Sequence, residues 1–181
     1  MTPLPNIAVI LLAGLVLAAG FTDLKTRRIP NWLTVSGVLS GLAVNAFLYG
    51  FNGLGRSAAG LFLAFGIYII LYALRAMGAG DVKLMAGVGA IVGAGDWFGI
   101  FLITAVIGGI SALALILWRK RTRKTFSNVG FILGEMMHFR PAYMGRDELS
   151  VNSPAAVTMP HGTVIALGSI CFLIWSFTGL V

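Results

Sequence analysis

Six apolar segments, mostly separated by short polar breaks, constrain the fold of this chain more than any other feature of its sequence. They cover residues 4–21, 32–49, 57–74, 82–95, 97–118 and 163–180. A bilayer core about 30 Å thick requires about 20 apolar residues for each helical span. A composition that is 58% hydrophobic and 10% charged excludes an ordinary soluble domain. The sequence therefore predicts an all-α polytopic membrane bundle with six transmembrane helices, forming a single domain over residues 1–181.

The basic residues predict the orientation of this bundle. With the first loop on the cytoplasmic side, 12 of the 13 Lys and Arg residues lie on that side and only Arg56 lies outside. This distribution agrees with the positive-inside rule. Both termini then lie on the outer face. The net charge of +7 thus reflects membrane orientation and gives no support to nucleic-acid binding.

Segment 82–95 is the shortest of the six, reaching only about 21 Å as a helix. We interpret it as a span, because otherwise the next segment would export the basic cluster at 119–124, against the positive-inside rule. A helix this short is shielded by its neighbours, or the bilayer thins around it.

The one long loop, residues 119–160, is predicted to be cytoplasmic. Its apolar residues recur at helical spacing over 129–137, which predicts an amphipathic helix on the inner membrane surface. Two interpretations stay open for this helix: a structural anchor, or a docking surface for a substrate or partner.

Two aspartates, Asp23 and Asp81, are the candidate catalytic residues of a chain with only six acidic residues. Each stands at the end of an apolar segment, and the predicted topology places both at the cytoplasmic boundary. Two carboxylates that share a site hold one proton between them, because they cannot both ionise readily. In an aspartic protease one such carboxylate activates water while the other, protonated, polarises the scissile carbonyl.

The residues around these aspartates suit that chemistry. Gly78 and Gly80 would let a substrate backbone approach Asp81 closely, and Asp81 is placed to cap the fourth helix. Pro30 disfavours helix at the residue before it, and Asn31 can cap the second span.

The residues alone leave other interpretations open. Asp23 could be a solvated charge beside Lys25 and Arg27, and Asp81 could serve only as a helix cap. An ion or proton relay is a third possibility, although no acidic or histidine residue lies in the hydrophobic middle of any predicted span.

Three stretches of the sequence resemble the prepilin peptidases, membrane aspartyl proteases of the GxGD class. They are Asp23 with Arg-Ile-Pro-Asn at 28–31, Gly-Ala-Gly-Asp-Val-Lys-Leu at 78–84, and Met-Pro-His-Gly at 159–162. The family commonly has an aromatic residue where His161 stands. The resemblance implies that Asp23 and Asp81 are catalytic. It implies supporting roles for Gly78, Gly80, Lys83, Pro30, Asn31, Pro160 and Gly162.

The same resemblance implies a function. A prepilin peptidase cleaves the leader of type IV prepilin or pseudopilin substrates at the cytoplasmic face of the bacterial inner membrane, without a metal or organic cofactor. Its expected partners are the prepilin substrate and membrane lipid. The remaining alternatives are a non-enzymatic subunit of a pilus or secretion assembly, and a small transporter.

Larger members of the family carry an insertion with paired Cys-x-x-Cys motifs and also methylate the new N-terminus. This sequence has one cysteine, Cys171, and a short first loop. Methyltransferase activity is therefore not expected, and the chain resembles the minimal form associated with Flp-type pili of tight-adherence systems.

Overall fold

The computed structural model describes residues 4–74, 77–118 and 160–178, and these ranges contain five α-helices and no strand. The helices are α1 (Asn6–Thr26), α2 (Asn31–Ala73), α3 (Ala79–Val92), α4 (Ala94–Trp118) and α5 (His161–Phe177). Within the same ranges, α1, α2 and the Ala94–Leu115 part of α4 are long and apolar enough to cross a membrane. The predicted all-α class is confirmed, and each of the six apolar segments overlaps a helix. The predicted amphipathic helix at 129–137 lies outside the described residues.

Helix α2 is not one straight rod, although it runs through 43 residues. Gly50 interrupts it with a positive φ of 60° and a ψ of −141°, a conformation that glycine adopts without steric cost. On either side of Gly50, Asn45 and Ser57 both donate to the carbonyl oxygen of Ala90. In a straight helix these two residues would be about 18 Å apart. The chain therefore folds back at Gly50, and α2 consists of two segments that correspond to the predicted second and third spans.

Helix α3 is the centre of the bundle. Eleven of its 14 residues are buried, and it packs against both segments of α2 through small residues. A Cβ at Gly41 would lie 2.7 Å from the backbone of Ala90, and one at Gly60 would overlap the carbonyl oxygen of Gly89. Glycine at these positions lets the helix backbones approach closely, as is typical of helix packing in membranes.

The two ends of α3 face different surroundings. At its C-terminal end, Gly93 turns the chain with a φ of 83°. There the Arg56 guanidinium donates from Nη2 to the Val92 carbonyl at 3.0 Å and to the Asp96 carboxylate at 2.9 Å. We call the other end of the bundle, where α1 ends and where α2, α3 and α5 begin, the aspartate end.

The helix boundaries correct three details of the sequence prediction. Helix α1 continues to Thr26, so Asp23 lies in its last turn and not beyond it. Helix α3 begins at Ala79, which places Asp81 inside its first turn. Residues 51–56, predicted as a break between spans, are helical because the reversal needs only Gly50.

Candidate active site

Asp23 is buried at the aspartate end, with 7% of its surface exposed. Its Oδ2 accepts the backbone N–H of Thr163, in the first turn of α5, at 3.4 Å. The N–H groups of a first helical turn have no partner within their own helix, and the positive end of the helix dipole favours a carboxylate there. The alternative of a solvated charge beside Lys25 and Arg27 is wrong, since Asp23 points into the bundle and joins the end of α1 to the start of α5.

Asp81 is equally buried, in the first turn of α3. Its Oδ2 accepts the backbone N–H of Gly78 at 3.1 Å. Gly78 is the N-cap residue, with extended backbone, so Asp81 caps the helix from the third helical position and not from the N-cap as predicted. This reach back to the N-cap N–H is half of a capping box.

The negative charge of Asp23 acts on the Asp81 carboxyl. Burial raises the pKa of the Asp81 carboxyl above its usual range, and the negative charge of Asp23 raises this pKa further. The Gly78 N–H and the charge of His161 act in the opposite direction, but the net pKa is raised. The charge of Asp23 therefore acts on Asp81, in agreement with the prediction that both residues lie at the same end of the bundle.

Glycines allow the surrounding backbones to close around the pair. A Cβ at Gly162 would lie 3.0 Å from Oδ2 of Asp23 and 3.0 Å from Cδ1 of Ile29. A Cβ at Gly80 would lie 3.3 Å from Cβ of Ile29. The first turns of α3 and α5 therefore meet the Ile29 side chain through residues that have no side chain of their own.

The remaining predicted site residues lie around the aspartates, at the starts of α2, α3 and α5. Pro30 and Pro160 are the N-cap residues of α2 and α5. Asn31 is the first helical residue of α2, and its Oδ1 accepts a hydrogen bond from Nζ of Lys83 at 2.9 Å. The prediction that Asn31 caps α2 is therefore wrong, because its side chain turns towards α3 and binds the lysine.

Sequence reasoning did not identify the contacts of Ile29, the hydrogen bond from the Thr163 N–H, or the ion pair of Asp96. The Ile29 contacts depend on the distance between two helix ends, and a backbone donor leaves no mark in a sequence. Arg56, the one basic residue predicted on the outer face, was a signal that could have led to Asp96.

Among the described residues, no group of three or more His, Cys, Asp or Glu side chains could hold a metal ion. The polar groups at the aspartate end are two buried carboxyls, backbone N–H groups of two helix starts, and His161. This arrangement places two buried carboxyls beside closely packed glycine backbone.

Fold and site together define a helical membrane protein with a buried pair of aspartates at one end of its bundle. Residues 10–113 match the model of the type IV leader peptidase family. Because that match covers more than half of the chain, the protein belongs to this family. The matched range includes Asp23 and Asp81 and ends before α5.

Curated relatives agree with this assignment. The chain is 32% identical, over 124 residues, to a prepilin leader peptidase/N-methyltransferase of Aeromonas hydrophila and to one of Aeromonas salmonicida. Each alignment covers 63% of this chain and 41% of the relative, so the chain spans less than half of their length. No solved structure matches the chain.

Proposed function

We propose that this protein is a membrane aspartic endopeptidase that removes the leader peptide from type IV prepilin-like substrates, with Asp23 and Asp81 as its catalytic pair. The observation that carries the proposal is the burial of both carboxyls at one end of the bundle, close enough for one charge to raise the pKa of the other. Family membership and the names of the relatives support the choice of substrate.

In the proposed reaction one carboxyl is ionised and its partner is protonated. The carboxylate accepts a proton from water as the water oxygen attacks the leader carbonyl carbon, and the carboxylic acid donates a hydrogen bond to the carbonyl oxygen. When the tetrahedral intermediate breaks down, the carboxyl that took the water proton gives it to the amide nitrogen, the C–N bond breaks, and that carboxyl is again ionised. The products are a leader with a new carboxylate and a pilin with a new amino terminus.

The membrane arrangement belongs to the same proposal. Six crossings with both termini on the periplasmic side place the aspartate end at the cytoplasmic face of the inner membrane. The reversal at Gly50 supports counting α2 as two crossings, and the burial of α3 supports a short crossing inside the protein. Lys25 and Lys83 lie at the level where anionic lipid headgroups are expected.

We further propose a Flp-type prepilin as the substrate. The support is the likeness of the sequence to the minimal family form, which has no Cys-x-x-Cys pairs. The proposal covers the peptidase reaction alone, since the sequence contains one cysteine. The supporting roles of Gly78, Gly80, Lys83, Pro30, Asn31, Pro160 and Gly162 remain proposals that rest on their positions around the pair.

The experiment co-expresses a Flp-type prepilin with the protein and follows leader removal by the change in substrate mass. Asp23→Asn and Asp81→Asn should each lower cleavage by at least about 100-fold, as expected for loss of a general acid or base. Asp96→Asn is the matched control, because it alters an equally buried carboxylate at the opposite end of α3.

The control should cleave at the wild-type rate per folded molecule. Retained cleavage in Asp23→Asn or Asp81→Asn would contradict the catalytic pair. A non-enzymatic assembly subunit would show no cleavage in any form of the protein.

A further inference from the structure

Ile29 has a defined position between the two helix starts that surround the aspartates. It follows α1 by a short turn in which Arg27 adopts the left-handed conformation, with a φ of 52°, and donates its backbone N–H to the carbonyl of Asp23. Pro30 then starts α2, and the preceding residue is restricted to extended backbone. The turn is thus constrained on both sides of Ile29, and the constraint begins at the backbone of Asp23 itself.

The side chain of Ile29 touches both glycine-bearing helix starts. Its Cδ1 lies 3.0 Å from the position of a Cβ on Gly162, and its Cβ lies 3.3 Å from that on Gly80. Gly162 adjoins the residue whose N–H binds Asp23, and Gly80 adjoins Asp81. One aliphatic side chain therefore separates the two turns that hold the two carboxyl groups.

A second contact keeps the turn against α3. The 2.9 Å hydrogen bond from Nζ of Lys83 to Oδ1 of Asn31 joins α3 to the first residue of α2, two residues after Ile29. Because this bond is exposed, it holds the turn in place without filling the space between the glycines. The Ile29 side chain is the group that lies against both Gly80 and Gly162.

We propose that Ile29 is a positioning residue, whose side chain fixes the separation of the α3 and α5 starts and thereby the separation of the Asp81 and Asp23 carboxyl groups. The inference rests on the proposed peptidase function. It makes no claim that Ile29 contacts substrate. The substrate KM should therefore respond less than kcat when Ile29 is changed.

The test measures kcat, KM and the pH–rate profile of the full-length protein in detergent or lipid, with a prepilin substrate. Ile29→Val removes only Cδ1, and Ile29→Ala removes every atom beyond Cβ. Misplacing a catalytic group by about 1 Å costs about 100-fold in rate, so Ile29→Ala should lower kcat by about that factor and Ile29→Val by about tenfold, with KM within about twofold.

The pH–rate profile separates positioning from stability. When the spacer shrinks, the helix starts approach, the carboxyls interact more strongly, and the two limbs of the profile move apart. Ile10→Ala and Ile10→Val are matched controls, because Ile10 is a 70% exposed isoleucine of α1. They should leave both limbs and kcat unchanged.

A double-mutant cycle tests the contact itself. Gly162→Ala places a methyl against Ile29 and against Asp23, and only the first of these contacts is altered in the Ile29→Val background. Coupling between the two substitutions therefore reports the Ile29–Gly162 contact. We expect Gly162→Ala to cost at least about threefold less kcat in the Ile29→Val background than in the wild type.

The outcomes distinguish this inference from the proposed function. If Asp23→Asn and Asp81→Asn are inactive while both Ile29 variants keep the wild-type kcat and pH profile, the positioning role is refuted and the peptidase stands. If the aspartate variants still cleave, the peptidase proposal fails. If Ile29→Ala does not accumulate, Ile29→Val decides, and a reduced yield with wild-type kcat per folded molecule would refute positioning.

Discussion

A buried aspartate lies near each end of α3, Asp81 in its own first turn and Asp96 in the first turn of α4, and the two form different interactions. Asp81 and Asp96 are 7% and 8% exposed, so burial does not distinguish them. Asp96 forms an ion pair with Arg56 at 2.9 Å. Within the described ranges, no ion pair is formed by Asp81, and the charges that act on its pKa are those of His161 and Asp23.

This difference suggests a structural role for Asp96 and a chemical role for Asp81. An ion pair places a cation against a carboxylate and ties two elements together. A buried carboxyl near a second one has a raised pKa and can exchange a proton near the pH at which an enzyme works. Aspartate thus has two roles. Near the C-terminal end of α3 it forms an ion pair, and at the N-terminal end it lies near a second carboxyl.

The largest effect on stability is expected at the ion-paired end. Arg56→Ala leaves Asp96 and the Val92 carbonyl without their donor, so the free energy of unfolding should fall by about 1–3 kcal/mol. Denaturation in detergent micelles measures the change, and Arg56→Lys is the control that keeps a cation. Cleavage per folded molecule should not change. A loss of cleavage without a loss of stability would show that the two ends are not independent.

A smaller, pH-dependent effect is expected at the aspartate end. The folded-state pKa of Asp81 is raised, so its contribution to stability is fully present below the ordinary aspartate pKa of about 3.9 and is lost as the pH rises through the folded-state value. Asp81→Asn removes this dependence. The variant should gain in melting temperature over the wild type as the pH is raised from acidic to mildly alkaline. A difference that is constant with pH would contradict the raised pKa.

The smallest effect concerns His161, whose charge lowers the pKa of Asp81. His161→Phe removes that charge and introduces the aromatic type common in the family. Cleavage should persist, with the alkaline limb of the pH–rate profile moved upward by less than about one pH unit, because solvent screens a half-buried charge. His161→Gln should give the same shift. If only His161→Phe moved the alkaline limb, the cause would be packing and not the loss of charge.

Much of the fold followed from the sequence because the bilayer reduces the choices available to a chain. Apolar length marks the helices, and the basic residues around them predicted that Asp23 and Asp81 share one end of the bundle. The structure brings those two residues within electrostatic range. Hydropathy also predicted a break between the second and third spans, although not that the break would be confined to Gly50.

The side-chain contacts of the site could not be predicted, because they depend on distances between helices that no local sequence pattern encodes. The side chain of Asn31 was expected to cap its own helix, but a lysine from α3 lies close enough to bind it. The contact of Ile29 with Gly80 and Gly162 exists only once three helix ends have met. Asp96 lies in a short break between apolar segments, where an acidic residue is expected. Its ion pair with Arg56 depends on the reversal of α2, which brings the two residues together.

The burial of α3 has a consequence for the lipid environment. Eleven of its 14 residues are buried against protein. A lipid-facing helix must match the thickness of the hydrocarbon layer, but a helix buried in this way need not. The distance between its two ends is set by the glycine-lined contacts with α2. The protein can therefore keep the same depth of its aspartates relative to the bundle when the composition of the membrane changes.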